Sequence, residues 1–275
     1  MPLLAIPPPY DFELSTERLR SWGPDLANLW NEGGYLRVVA GREVRIEPTA
    51  GGVLVEPLDA ELESVVRHLL GLPFDLDGFT EFARSEPVLE ALVARLPGLR
   101  PLLVPDPWEA LVTSITAQQV SLFAAFAIRN RLIERFGAPG VRAWAFPTRS
   151  TIARASEEEL LALGFSRRKA EYVVGLARSE LTLERLAELS DEEVHAELRA
   201  QRGLGAWTAD WFLARHLGRP RAWPAGDLAV RKAVSAFYGG GRQLDEQEVR
   251  AIGARFDPFQ NLSAHTLLVG LRVGA

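Results

Sequence analysis

One carboxylate and two tryptophans, grouped around a Gly-Leu-Gly turn, carry most of the chemistry in this sequence. Asp227 follows Trp223-Pro224-Ala225-Gly226 and precedes the helix-like run Leu228-Ala229-Val230. The ordinary role of an aspartate there is an N-cap, its side chain accepting from backbone N–H groups. The same position exposes a carboxylate at the lip of a helix, where it can stabilise developing positive charge or orient a water. Upstream, Gln201-Arg202-Gly203-Leu204-Gly205-Ala206-Trp207-Thr208-Ala209 has the pattern of two helices joined by a tight hairpin. Its glycines permit backbone angles denied to other residues and a close approach to a surface. The second helix then starts with free N–H groups facing outward, which suits a phosphate. Leu204 is the apolar anchor of the turn.

Three further groups have two readings each. Trp207 and Trp211 stand four residues apart and share a helix face. They are either core packing or walls that stack on an extruded base. Arg167-Arg168-Lys169 opens a helix after the break Gly164-Phe165-Ser166. Cations on a first turn oppose the helix dipole, so they are either solvated or meet an anion. Gln118-Gln119 sits within a mostly apolar helical run. Either one glutamine is exposed and the other satisfied by backbone, or both point into a cleft at a helix bend.

These residues need a frame. Residues 1–9 are Pro-rich and extended. Strands are predicted at Asp11–Leu14, Tyr35–Val39, Val44–Ile46 and Val53–Glu56, with turns at Gly41 and Gly51-Gly52. A helix is predicted from Asp59 to Leu70. From Gly78 onward the pattern is helical: Phe79–Ser85, Pro87–Leu96, a long central helix Pro107–Phe136 capped by Asp106, then the hairpin candidates at 157–178 and 190–238. A helix over Asp245–Phe256 and a final apolar one to Leu271 complete the chain. The expectation is an α+β protein. A small N-terminal antiparallel-sheet α/β domain covers 1–88, followed by an all-helical region over 89–275. That region divides into a core at 110–220 and a second subdomain formed by 89–109 with 221–275.

The 275 residues are 47% hydrophobic and 24% charged, ordinary globular values. There is no cysteine, which excludes disulfides and cysteine-ligated metal centres. The four histidines have no metal-like spacing. No signal peptide is recognisable and no stretch approaches the roughly 20 apolar residues of a membrane span, so a cytoplasmic protein with no membrane partner is expected. The net charge of −5 argues against a nucleic-acid binder that relies on bulk charge. It leaves room for a local grip, since a hairpin that holds phosphate by N–H groups needs little charge.

With these residues assembled, the chain resembles the helix–hairpin–helix superfamily of DNA glycosylases, most closely the AlkA-type 3-methyladenine DNA glycosylases (type II). The resemblance runs almost the full length. Pro8–Phe12 (PPYDF) is similar to that family's opening strand, and Ile115–Ser121 (ITAQQVS) to its wedge segment. Residues 203–210 (GLGAWTAD) resemble its hairpin, and Pro224–Asp227 (PAGD) the segment bearing its catalytic aspartate. The resemblance implies that Asp227 is catalytic, that Gln119 is the wedge with Gln118 lining the pocket, and that Trp207 and Trp211 are pocket aromatics. It implies that Arg202, Gly203, Leu204, Gly205, Ala206 and Thr208 hold DNA backbone, joined by Arg167, Arg168 and Lys169. No cofactor is implied beyond a monovalent cation on the hairpin carbonyls, and no metal. The partner would be double-stranded DNA containing damaged bases, bound by a monomer. Bifunctional members carry a Schiff-base lysine where Trp207 stands, so a monofunctional enzyme is implied. Two features depart from the pattern: the last helix lacks its pocket tryptophan, reading Ala264-His265-Thr266-Leu267-Leu268-Val269, and the wedge is polar. A glycosylase for oxidised or deaminated bases and a non-catalytic binder of DNA structure are the rival readings.

Overall fold

The computed structural model describes residues 1–274. Its N-terminal part is a five-stranded antiparallel sheet in the order β1-β5-β4-β3-β2. The strands are β1 (Leu3–Ala5), β2 (Leu29–Asn31), β3 (Gly34–Val39), β4 (Arg42–Thr49) and β5 (Gly52–Glu56). Two short helices, α1 (Phe12–Ser15) and α2 (Arg18–Ser21), interrupt the run between β1 and β2. Ala40 and Gly41 both take positive φ between β3 and β4, the tight turn that matches strand twist. One face of the sheet, with Val44, Ile46, Val53 and Val55, is closed by Leu62, Val66 and Leu69 of α3 (Ala60–Leu69). The expected strands at 35–39, 44–46 and 53–56 are therefore β3, β4 and β5.

Two local expectations are corrected. Asp11–Leu14 is not a strand: Asp11 caps α1, its carboxylate accepting from Leu14 N at 2.8 Å. A short alternating run after an Asx residue satisfies its backbone more readily as a capped turn. The opening strand is instead Leu3–Ala5, paired with β5. The long helix expected from 107 to 136 is two helices, α6 (Pro107–Ala117) and α7 (Leu122–Phe136). Ser121 starts the second by accepting from Ala124 N at 3.3 Å, a cap hidden within an apolar run.

The remaining elements are α4 (Leu76–Ala83), α5 (Pro87–Arg95), a minor strand pair β6 (Ala138–Pro139) and β7 (Trp144–Ala145), α8 (Arg149–Arg154), α9 (Glu157–Ala162), α10 (Arg167–Arg178), α11 (Asp191–Arg199), α12 (Ala206–Arg215), α13 (Leu228–Tyr238), α14 (Glu246–Gly253) and α15 (Gln260–Val273). They surround two hydrophobic cores. One gathers Trp108 to Ala222 around α6, α10 and α12. The other combines Phe74–Leu103 with Trp223–Leu267. Phe74, Leu76 and Phe79 belong to this second core, so the chain leaves the sheet before α4 rather than at residue 88. No helix among the described residues is long and apolar enough to cross a membrane.

A buried ion network fixes the sheet to the helices. Glu109 on α6 pairs with Arg37 on β3 and, at 2.6 Å, with Arg129 on α7. Arg129 also reaches Asp25 at 3.1 Å and Thr113 at 2.6 Å. Burial pushes the Glu109 carboxyl upward, but the two guanidiniums overcome it and hold its pKa down at about 2. The sheet and the helices are thus joined through buried, paired charges.

Candidate active site and nucleic-acid interface

The hairpin runs from α11 to α12. Ser190 and Glu193 form a capping box at the start of α11. At the turn, Leu204 N donates to Gln201 O at 3.2 Å, and Leu204 is buried as the anchor. The glycines do different work. Gly203 has φ +89°, and a Cβ there would lie 2.2 Å from the Tyr172 ring, so both conformation and space demand glycine. Gly205 has an extended φ of −110° and open space at its Cβ position. Gly205 is the N-cap of α12 and offers no side chain to the first N–H groups, which remain available to an acceptor.

Asp227 is both things the sequence allowed. Its Oδ1 accepts from Ala229 N at 2.9 Å and Val230 N at 3.0 Å, capping α13. Its Oδ2 accepts from Trp207 Nε1 at 3.1 Å. One oxygen is committed to the helix, and the other faces the hairpin helix. Trp207 is therefore a hydrogen-bond partner of the aspartate as well as an aromatic surface. Trp211 follows one turn later and packs at the margin of the helical core.

Gln118 and Gln119 lie in the break between α6 and α7. Gln118 Nε2 donates to Gly203 O at 3.1 Å, tying the break to the hairpin. Gln119 is exposed with φ +55°, an uncommon conformation for a residue with a side chain. One glutamine is thus satisfied by backbone and the other exposed, and both sit at a bend. Beyond them Val120, Leu122 and Phe123 are exposed, Phe123 to 63%. Trp22 meets Phe123 edge-on at 5.6 Å.

The cations separate into two kinds. Arg167 and Arg168 are exposed, and Arg202 stands at the surface beside Glu171. Lys169 points inward: it is buried and its Nζ donates to Thr116 O at 2.8 Å, near the C-terminal end of α6. Burial lowers its pKa. That geometry withdraws Lys169 from the phosphate-facing set, because successive side chains on a helix are turned about 100° apart and position 169 falls on the side facing the core. Thr208 is buried too, so only its backbone could face a phosphate.

Sequence reasoning missed several polar groups deeper in the protein. Arg215 continues the α12 stripe Trp207-Trp211-Arg215 at four-residue steps; that periodicity was the available signal. It is buried, and its Nη1 donates to Asn261 Oδ1 at 2.7 Å. Burial, followed by the charge of Arg18, lowers its pKa to about 10, with Asp227 opposing and Arg272 adding. His265 on α15 is 8% exposed and its Nε2 has no hydrogen-bond partner. Burial, then Arg215, Arg272 and Arg18, hold its pKa well below the usual histidine value. Among the described residues no group of His, Asp or Glu side chains is arranged to hold a metal.

The site therefore joins three segments. Asp227 reaches Trp207, and Gln118 reaches Gly203, so carboxylate, hairpin and helix break form one connected edge. Such an edge can bind a phosphate at the α12 terminus and present a carboxylate beside an aromatic face. Comparisons with known proteins identify the family. The family model for HhH-GPD superfamily base excision DNA repair proteins matches residues 112–257. The chain is 28% identical over 215 residues to a DNA-3-methyladenine glycosylase of Bacillus subtilis, covering 75% of this chain and 71% of that protein. It is 29% identical over 269 residues to DNA-3-methyladenine glycosylase 2 of Escherichia coli, covering 92% of each. A solved 3-methyladenine DNA glycosylase from Archaeoglobus fulgidus superposes with a TM-score of 0.90 at 28% identity, over 99% of each chain.

Proposed function

The chain belongs to the HhH-GPD superfamily of base excision DNA repair proteins, and on that footing we propose that it is a monofunctional DNA glycosylase for alkylated bases of the 3-methyladenine and 7-methylguanine type. It acts on double-stranded DNA as a monomer and leaves an abasic site. The observation that carries this reading is the bond from Trp207 Nε1 to Asp227 Oδ2 beside an uncapped helix terminus.

The damaged nucleotide is turned out of the duplex, at a cost of a few kcal/mol that is least for damaged pairs. Gln119, exposed on a left-handed residue, enters the gap. Trp207 and Trp211 flank the electron-poor base, an attraction akin to cation–π. As the C1′–N bond breaks, the sugar gains oxocarbenium character. Asp227, ionised, stabilises that charge and orients the attacking water. The backbone N–H groups of Ala206 to Thr208 and the surface arginines hold the DNA backbone.

A lyase step would need an amine at the sugar. The chain has two lysines: Lys169, engaged by Thr116 O, and Lys232, exposed on α13. Residue 207 is tryptophan, so the hairpin offers no such nucleophile. A monovalent cation at the hairpin would share carbonyls already in use, since Gln201 O accepts from Leu204 N and Gly203 O from Gln118 Nε2. The mechanism places no step on it. The test is incubation with duplexes carrying 7-methylguanine, 8-oxoguanine, hypoxanthine or uracil, scored for base release with and without alkali. Release of 7-methylguanine with strand scission only after alkali is expected. Scission without alkali sinks the monofunctional reading, and release of only the other bases sinks the alkylated-base reading.

A further inference from the structure

Asp227 is tied to α12 by two routes, and the bond to Trp207 is only the direct one. The other runs through α14. Trp223 donates from Nε1 to Val249 O at 3.0 Å, and a Cβ on Gly253 would lie 2.3 Å from the same indole, so α14 holds the start of the segment 223–227. Glu246, at the start of α14, packs against its end, with a carboxylate oxygen 3.4 Å from where a Cβ of Gly226 would be. Arg250, one turn on, pairs with Glu246 at 2.9 Å and faces Asp210 of α12 at 3.7 Å. The other oxygen of Asp210 is met by His195 Nε2 of α11 at 2.9 Å, so that nitrogen carries the proton. Asp210 stands three residues after Trp207, on the adjoining strip of the same helix. Trp207, Asp210, Arg250, Glu246, Gly226 and Asp227 thus close a ring. The ring crosses between the two helical cores, since α12 packs in one and Trp223 and Val249 in the other. Burying the Asp210 carboxylate costs stability that a pair with a half-exposed arginine hardly offsets. What the pair supplies is register: a helix held by ions from two neighbours does not turn about its axis without losing one of them.

We infer that Asp210 is a positioning residue for base excision, which through Arg250 and α14 fixes the hairpin helix against the Asp227 carboxylate. This rests on the excision reaction proposed above. Asp210 is buried and its carboxylate is met from α11 and α14, so it acts through the helices it joins and not on the nucleotide. Freed from Arg250, α12 can shift against α14 and carry Trp207 away from Asp227. The backbone N–H groups at the start of α12 belong to the hairpin and move with it, so the grip on DNA persists while the carboxylate loses its place. A misplacement of about 1 Å at the reacting centre can slow catalysis by up to about 10²-fold. Arg242 and Glu248 offer a matched comparison: they pair at 2.6 Å, also on α14, but do not reach α12.

The test follows single-turnover release of 7-methylguanine beside affinity for a duplex carrying an abasic analogue. Arg250→Gln should slow release about tenfold, with affinity and melting temperature matching those of Arg242→Gln, whose rate stays at the wild-type value. Arg250→Lys should recover most of the rate, and Asp210→Asn should slow release at least as much as Arg250→Gln. In an Asp227→Asn background Arg250→Gln should cost nothing further, because the charge it positions is already gone. In protein labelled with isotopic tryptophan, the indole N–H resonance of Trp207 should shift in Arg250→Gln and stay put in Arg242→Gln. A wild-type rate in Arg250→Gln with an unmoved resonance confines Asp210 to folding and overturns the inference. A loss that persists in full beside Asp227→Asn overturns it too, since Arg250 then acts elsewhere. Either result leaves the proposed function standing. Undiminished release by Asp227→Asn alone removes that carboxylate from the mechanism and defeats both.

Discussion

Two helix–hairpin–helix segments in this chain share one register and differ in how the second helix begins. Gly164 and Gly203 both take positive φ at the turn, +96° and +89°. Phe165 and Leu204 follow as buried anchors. Next come Ser166 and Gly205 as N-caps, and two positions later Arg168 and Trp207. Lys169 and Thr208 then both turn inward. The first hairpin is closed by its own side chain, Ser166 Oγ accepting from Lys169 N at 3.4 Å. The second is left open, since glycine supplies no cap. The first also supports the second, because Tyr172 of α10 fills the space beside Gly203. One scaffold is thus used twice, once for packing and once with its N–H groups free and an aspartate brought to its helix. Helices α2, α5 and α15 also start without a side-chain cap; what sets the start of α12 apart is the aspartate of α13 hydrogen-bonded to its first turn.

The sharpest challenge to that comparison is Asp227→Asn. Asparagine caps a helix about as well as aspartate, so α13 should persist. The charge facing Trp207 is lost, and single-turnover excision should fall by about 10²- to 10³-fold with DNA affinity retained. Near wild-type turnover would remove the second hairpin's claim to chemistry and leave it as a binding element like the first.

A reciprocal pair exchanges the caps. Gly205→Ser fits sterically, since an added Cβ meets nothing within 4 Å and the backbone is already extended. It should stabilise the protein by a few tenths of a kcal/mol while weakening DNA binding about tenfold, because the new hydroxyl occupies the N–H groups meant for phosphate. Ser166→Ala should cost about 1 kcal/mol of stability and leave DNA affinity where it is. Denaturation midpoints and binding isotherms read both. If Gly205→Ser binds DNA as well as the wild type, the open terminus is not where the backbone is held.

What could be read from the sequence follows the same division between local and distant. The glycines, Asp227 and the stripe Trp207-Trp211 are legible because turn chemistry, capping and helical period act within a few residues. So are the three central strands. The bond between Trp207 and Asp227 spans 20 residues and that between Gln118 and Gly203 spans 85, and no periodicity encodes either. Arg215 and Asn261 lie 46 residues apart, and only tertiary packing brings them into their hydrogen bond. The break at Gln119 was masked by apolar residues on both sides, although Ser121 was a cap signal in plain view. Lys169 was misplaced because a charge run looks uniform in sequence, whereas a helix separates neighbours by about 100°.

That last point gives the smallest and most discriminating comparison. Arg168 and Lys169 are adjacent, alike in charge, and opposed in direction. Arg168→Gln should weaken DNA binding by a few fold and reduce the slope of log affinity against log salt by about 0.9, as expected for one lost phosphate contact. Lys169→Met should leave that slope unchanged. It strands the Thr116 carbonyl instead and should cost about 1 kcal/mol or more in stability. If the lysine variant lowers the salt slope as the arginine variant does, both cations face the DNA and the inward turn of Lys169 is wrong for the bound state. If only the arginine variant does, the first hairpin touches DNA by its exposed edge alone, and its lysine serves to hold α10 against the end of α6, where Gln118 meets the second hairpin.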